Sequence, residues 1–380
     1  MNRQIVAEAL EEIISAAKGG SRPVTVGLMA RGSELGQGEL IRGAMRAMSQ
    51  DPSLRVVMIG PKPAEPVDLQ WIETDDCEEA VSSALEGALE EGTIGGAVAL
   101  HYPFPLGVTT VGMVMTPGRG RPMLISTTTG TASHNRVEAM TLNCILGRAV
   151  ARCLGIANPT VGILNVEGAP SALRAINRLK DGGYPLRFGS SLRADGGSLL
   201  RGNDVLAGAV DVCVCDSLTG NVLTKILSAF TTGGGYEALG WGYGPSVGIG
   251  WGKVISIISR ASGESVIAGA LGFTARMVKN RLPSVVEEEL SFARTAGLDG
   301  VLASLGAGKG DGAEVTPPPK EPTEEEISGV DVLEVDAAAR VLWREGIYAE
   351  SAMGCTGPVI KVPARHHHRA TEILRGAGYL

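Results

Sequence analysis

Residues 211–225 read DVCVCDSLTGNVLTK. Val212 to Cys215 is a short apolar run, as in a strand covered on both faces, and it stops at Asp216. Period two puts Cys213 and Cys215 on one side of that strand. A turn through Thr219, Gly220 and Asn221 leads into a helix expected over 220–230, with Lys225 on its first turn or just beyond. In an open parallel sheet, ligands bind beyond the carboxyl ends of the strands. Asp216, Asn221 and Lys225 are therefore expected to project toward a cleft. The plainer alternative is that Asp216 and Thr219 only cap the helix and Lys225 is solvated.

The same alternation extends outward in both directions. Apolar runs at 24–30, 55–60, 96–100, 122–126 and 160–165 read as strands. Helical patterns follow through Met48, over 135–154 and over 169–180. Short apolar strands separated by helices predict an α/β protein: three layers, α/β/α, with a mainly parallel sheet and two lobes. No internal repeat is visible. At 306–326 the chain reads GAGKGDGAEVTPPPKEPTEEE, glycine-rich, then proline-rich, then acidic, which neither packs a core nor continues a helix. The expected organisation is a core over 1–306, a flexible linker over 307–326 and a C-terminal segment over 327–380. In that segment 331–342 reads as a helix, 359–362 as a strand and 369–374 as part of a last helix.

Composition narrows the function. The chain has 380 residues, net charge −7, 44 % hydrophobic and 20 % charged residues, which excludes general disorder and gives no basic field for nucleic acid. Ile5, Ala9, Leu10, Ile13 and Ile14 recur at helical spacing, interrupted by Glu8, Glu11 and Glu12, so the start reads as an amphipathic helix rather than a signal peptide. No apolar run reaches the roughly 18 residues of a membrane span, and a cytoplasmic location is expected. Six cysteines are too few for a disulfide scaffold, and Cys144 and Cys153 in a helical run read as core residues.

Several stretches invite a site. The turn GSELGQG after the first strand has the spacing G-x-x-x-G-x-G and no acid at the end of the second strand, which disfavours nicotinamide binding. The glycine-rich stretch 233–252 suits close approach to a phosphate or acyl chain, or a mobile loop over a site. Arg260 and Ser262, at the end of the strand-like VISIIS, are candidates for binding an anion. His366, His367 and His368 read as the start of a surface helix. Cys355 in ESAMGCTGPVIKV falls on a turn, because Pro358 lacks a donor and biases Gly357 away from helix. Backbone N–H groups of such a turn stabilise a thiolate or an acyl oxyanion.

The stretches RPMLISTTTGTASHN, LGIANPTVGILNVEG, DVCVCDSLTGNV and GYGPSVGIG resemble the phosphate acyltransferases of bacterial phospholipid synthesis and, more distantly, phosphotransacetylases. The resemblance covers roughly residues 90 to 280 and implies the phosphotransacetylase and isopropylmalate dehydrogenase-like fold. The sequence departs from it at MARGSELG, where those acyltransferases carry an acidic, glycine-rich signature. The C-terminal EGIYAESAMGCTGPVIKV extends the match: nearly the whole chain resembles the α subunits of component C of glycine/sarcosine/betaine reductase complexes. That resemblance implies an acetyl group carried on Cys355 in an anaerobic, amino-acid-fermenting system. It also implies two partners, a β subunit resembling ketoacyl synthases and a selenoprotein component A, in an oligomeric complex.

The reading is an acyl-transferring subunit with Cys355 as nucleophile. Inorganic phosphate is held by Asn221, Lys225 and Gly220 with Asp216 orienting, and Arg260 and Ser262 are added to the same site. No metal or nicotinamide cofactor is required. A linker of about 20 residues has an r.m.s. span of roughly 25 Å, so Cys355 is expected to visit a partner surface and return to the cleft. The alternatives are a phosphate acyltransferase acting on acyl-carrier-protein thioesters, a non-catalytic scaffold for the β subunit, and a dehydrogenase.

Overall fold

A computed structural model describes residues 23–380 except 195, 307–314, 332, 333, 355 and 356. The expected N-terminal helix lies outside the described residues. The first half of the chain gives β1 (Val24–Met29), α1 (Gln37–Gln50), β2 (Leu54–Gly60), β3 (Gln70–Glu73), α2 (Glu78–Glu90) and β4 (Gly96–Ala99). β1 pairs in parallel with β2 and β4, and β2 with β3. Val26, Leu28, Met58, Ile59, Leu85 and Val98 are fully buried in this lobe's core. Consecutive burial from Val56 to Gly60 explains the unbroken apolar run in that part of β2.

A hairpin follows, β5 (Val108–Met115) and β6 (Pro122–Gly130), then α3 (Arg136–Cys153), β7 (Thr160–Leu164), α4 (Ala169–Asp181), β8 (Arg187–Phe188) and β9 (Leu199–Leu200). Next come α5 (Gly202–Ala207), β10 (Val212–Val214), α6 (Ser217–Ala229), β11 (Gly244–Gly248), β12 (Ile255–Ile257), α7 (Glu264–Lys279), α8 (Leu282–Thr295) and α9 (Leu298–Gly306). The sheet order is β3-β2-β1-β4-β12-β11-β5-β6-β10-β7-β8, with β9 beside β7.

Two successive residues of β6 and β10 point to opposite layers, as pleating requires. Leu124, Val212 and Val214 join a core with α3, α4, α8 and α9. Met123, Ile125, Cys213 and Cys215 face the other way, toward Val205 of α5 and Leu227 of α6. The two cysteines therefore share a face, as their spacing predicts, and the fold is α/β with a mostly parallel large sheet. Cys144 and Cys153 are buried in α3, a helix apolar on almost every side because it is enclosed on almost every side.

The sheet departs from the parallel expectation at its centre. β5 pairs antiparallel with β6 and β11, and β11 antiparallel with β12. β11 changes partner along its length: Gly244 and Pro245 face Ile257 and Ser256 of β12, while Ser246–Gly248 face Thr110–Val108 of β5. One strand thus joins the two lobes. The glycine-rich stretch is in part this central strand and not a mobile loop, because its glycines fit buried backbone between two strands.

The C-terminal residues form β13 (Glu325–Ser328), α10 (Val335–Arg344), β14 (Glu350–Gly354), β15 (Gly357–Val362) and α11 (His367–Gly376), with strand order β13-β15-β14. Glu325 and Glu326, expected in the linker, pair with Val362 and Lys361. The expected helix over 331–342 begins later, at Val335. Ile327, Ala338, Leu342, Ile360, Val362 and Leu374 make a core of their own. The contact with α4 is polar: Ser171 donates to Asp331 (3.0 Å) and Glu334 (3.1 Å), and Arg174 pairs with Glu334 and donates to the Tyr379 carbonyl (2.8 Å).

Candidate active site

The turn after β10 is built on Asp216. Its Oδ1 accepts the Thr219 N–H (3.0 Å) and its Oδ2 accepts the Thr219 hydroxyl (2.6 Å), so it is the N-cap of α6. With that cap the helix starts at Ser217, three residues before the expected start, and Lys225 stands in the third turn rather than the first. Gly220 presses this first turn against the end of β6: a Cβ there would meet the Thr127 carbonyl oxygen at 1.7 Å. One residue on, Asn221 Nδ2 donates to the Thr128 carbonyl (3.0 Å).

Thr127 and Thr128 belong to the STTTGT run, whose hydroxyls fasten the hairpin. Thr110 and Thr128 share a hydrogen bond of 2.6 Å, and Thr128 Oγ1 donates to the Tyr243 carbonyl at the start of β11 (2.5 Å). α6 thus runs across the β5–β6 hairpin and carries Lys225 to the loop beyond β12. Lys225 Nζ donates to Ser259 Oγ (3.4 Å) and lies 3.5 Å from Glu237 Oε1. Glu237 is only 1 % exposed. Its carboxylate also accepts the Tyr243 hydroxyl (3.0 Å) and the Ser262 hydroxyl (3.3 Å). Burial, and then the Glu237 charge, push the Tyr243 phenol well above its usual value and keep it a donor.

The structure therefore joins Lys225 and Ser262 through Glu237 and sets Asn221 one turn earlier on the same helix. Arg260 goes elsewhere. Its exposed side chain lines a small pocket with Arg31, Gly32, Glu78 and His101, at the carboxyl ends of β1, β4 and β12. There Arg31 pairs with Asp76 (2.6 Å), and His101 Nε2 lies 3.1 Å from Glu78. The loops are tied: Glu34 N–H donates to the Arg260 carbonyl (2.8 Å). Cys355 lies outside the described residues, between β14 and β15.

Glu237, Ser259, Tyr243 and Thr128 were missed by sequence reasoning. The one available signal was Glu237 itself, the sole carboxylate in the glycine-rich stretch 233–252. Cys213 and Cys215 lie close to the site but are not nucleophiles: burial, with the Asp204 charge adding, pushes Cys213 up to about 12, and burial pushes Cys215 well above the ordinary thiol value.

A half-exposed cation, Lys225, beside the Ser259 hydroxyl at the end of β12 suits a small anion. A family model described as fatty acid synthesis protein matches residues 24–361. The chain is 26 % identical over 247 residues to a phosphate acyltransferase of Alkalilimnicola ehrlichii, covering 53 % of this chain and 69 % of that one. These likenesses define an acyltransferase-like α/β protein. It is 45 % identical over 381 residues to the glycine/sarcosine/betaine reductase complex component C subunit alpha of Peptoclostridium acidaminophilum, covering 99 % of this chain and 98 % of that one. The chain belongs to the fatty acid synthesis protein family and, within it, to the family of component C alpha subunits. Among solved structures, a branched-chain phosphotransacylase from Enterococcus faecalis V583 aligns with a TM-score of 0.47 and 18 % identity, over 67 % of this chain and 99 % of that one. Among the described residues, no helix is long and apolar enough to cross a membrane.

Proposed function

We propose that this chain is the acyl-transferring subunit of a glycine/sarcosine/betaine reductase complex, taking an acetyl group on Cys355 and releasing it as acetyl phosphate. The observation that carries this reading is the 45 % identity to a component C alpha subunit over 99 % of the chain, a likeness that runs through the segment holding Cys355. In the first step the Cys355 thiolate attacks the carbonyl carbon of an acyl donor presented by the partner subunits; the bond from that carbon to the donor breaks, the leaving group departs with its electron pair, and the thioester remains. In the second, an oxygen of inorganic phosphate attacks the thioester carbonyl, the C–S bond breaks, and the sulfur leaves as thiolate. Splitting the transfer makes each step easier.

At this strand end Lys225 and Asn221 face the phosphate, while Asp216 and Gly220 fix the turn that carries Asn221. Ser262 acts through Glu237, and Arg260 supplies positive charge from the adjoining pocket. Residues 307–324, ahead of β13, tether the C-terminal segment so that Cys355 reaches both a β subunit resembling ketoacyl synthases, which with component A supplies the acetyl group, and the phosphate site. The test is peptide mass spectrometry after incubation with acetyl phosphate. One acetyl group on the Cys355 peptide, absent from Cys355→Ala, supports the reading. Acetyl phosphate turnover by Cys355→Ala at the parent rate overturns the role of the thiol.

A further inference from the structure

Glu237 is a buried carboxylate to which the acyl-transfer scheme gives no direct step. Its backbone already ties the loop down: its N–H donates to the Ala261 carbonyl (2.9 Å) and its carbonyl accepts the Gly263 N–H (2.8 Å). A neutral side chain of the same size would pack there without the desolvation cost of a buried anion. What the carboxylate adds is charge, and its one cationic partner among the described residues is Lys225. An ammonium has three N–H donors. Glu237 and Ser259 stand in two directions, and the Lys225 side chain, 54 % exposed, leaves the third N–H toward solvent.

We propose that Glu237 is the positioning residue for Lys225, holding its ammonium at the mouth of the cleft with one N–H aimed at inorganic phosphate. Ser262 and Tyr243 hold the carboxylate from behind, so the anchor itself does not move. Without it, a lysine side chain samples many rotamers and must be ordered by the ligand it binds. The identity of the ligand rests on the acyl phosphate reading; the placement of Lys225 does not.

The experiment uses the full chain with its β partner. Glu237→Gln keeps shape and removes charge, and is expected to raise the phosphate KM on the order of tenfold with kcat nearly unchanged. In a Lys225→Ala background the same change is expected to add nothing. Independent multiplication of the two effects, or a fall in kcat at unchanged KM, overturns the proposal. A second readout needs no activity: the rate at which an amine-acetylating reagent labels Lys225, followed by mass spectrometry. Glu237→Gln is expected to speed labelling severalfold, and equal rates overturn the proposal. Faster labelling in a protein whose parent never uses phosphate would sink the acyl phosphate reading and leave the positioning role standing. Should Glu237→Gln not fold, Ser262→Ala removes one anchor and is expected to speed labelling to a smaller degree; no change overturns the idea.

Discussion

Gly220 lies so close to Thr127 that a Cβ on the glycine would stand 1.7 Å from the threonine carbonyl oxygen. The first turn of α6 is thus seated on the end of β6, and any side chain at 220 would lift the helix and carry Asn221 away from Thr128. Gly220→Ala is expected to destabilise the chain by about 3 kcal/mol or more. The helical Gly272, with nothing within 4 Å of its would-be Cβ, is the control: Gly272→Ala is expected to be neutral or to stabilise by up to about 1 kcal/mol. Thermal unfolding of both variants checks the pair.

Lys225, held by Glu237 and Ser259, still has more than half of its side chain exposed to solvent. Lys225→Met retains the stem and removes the charge, and is expected to lower kcat/KM for phosphate roughly a hundredfold. Circular dichroism is expected to match the parent, while the melting temperature is expected to fall, because the buried Glu237 carboxylate loses its cationic partner.

Away from the site, Glu289 is fully buried and holds Arg148, Arg152 and the Tyr184 hydroxyl (2.7 Å). Glu289→Ala leaves a buried guanidinium without its counter-charge and is expected to cost about 3–5 kcal/mol. A melting temperature equal to the parent's would contradict this.

Asp204 sets an acid limit. Burial raises its carboxyl, but bonds from the Leu192 and Arg201 N–H groups (2.7 Å each) and the Ser191 hydroxyl (2.9 Å) outweigh this and hold the pKa below the usual carboxylate value. A depressed folded-state pKa contributes stability that is present above the unfolded value, near 3.9 as a rough reference, and is lost as pH falls through the folded value. Stability is therefore expected to fall on acidification below about pH 5, and Asp204→Asn to flatten that slope. Denaturant midpoints measured across the acid range would show it.

The layered α/β arrangement was legible because buried strands leave unbroken apolar runs: β2 and β10 are readable directly. The antiparallel centre was not. β5 holds two threonines and a glycine and β11 two glycines and a proline, and the pairing that joins these two strands links residues more than a hundred positions apart. The start of α6 was placed three residues late, although capping by Asp216 was the stated alternative, because the turn was read as running through Thr219, Gly220 and Asn221. Asn221 and Lys225 were singled out as candidates because they follow a strand end. Glu237 was hidden because no motif links it to Lys225 and Ser262, which lie on other segments and meet it only in the fold. Arg260 and Ser262, two residues apart, were read as one site. The loop turns Ser262 inward to Glu237 and Arg260 outward to Arg31 and His101.

The most direct measurement is arsenate-dependent hydrolysis of acetyl phosphate by the chain assembled with its β partner, comparing the parent with Cys355→Ala. Arsenate replaces phosphate and yields an unstable acyl arsenate, so each turnover reports one acyl exchange. The predicted result is steady hydrolysis by the parent and none above background by Cys355→Ala. Equal hydrolysis by both would leave the cleft as an acyltransferase without the thiol, and no hydrolysis by either would contradict acyl phosphate formation altogether.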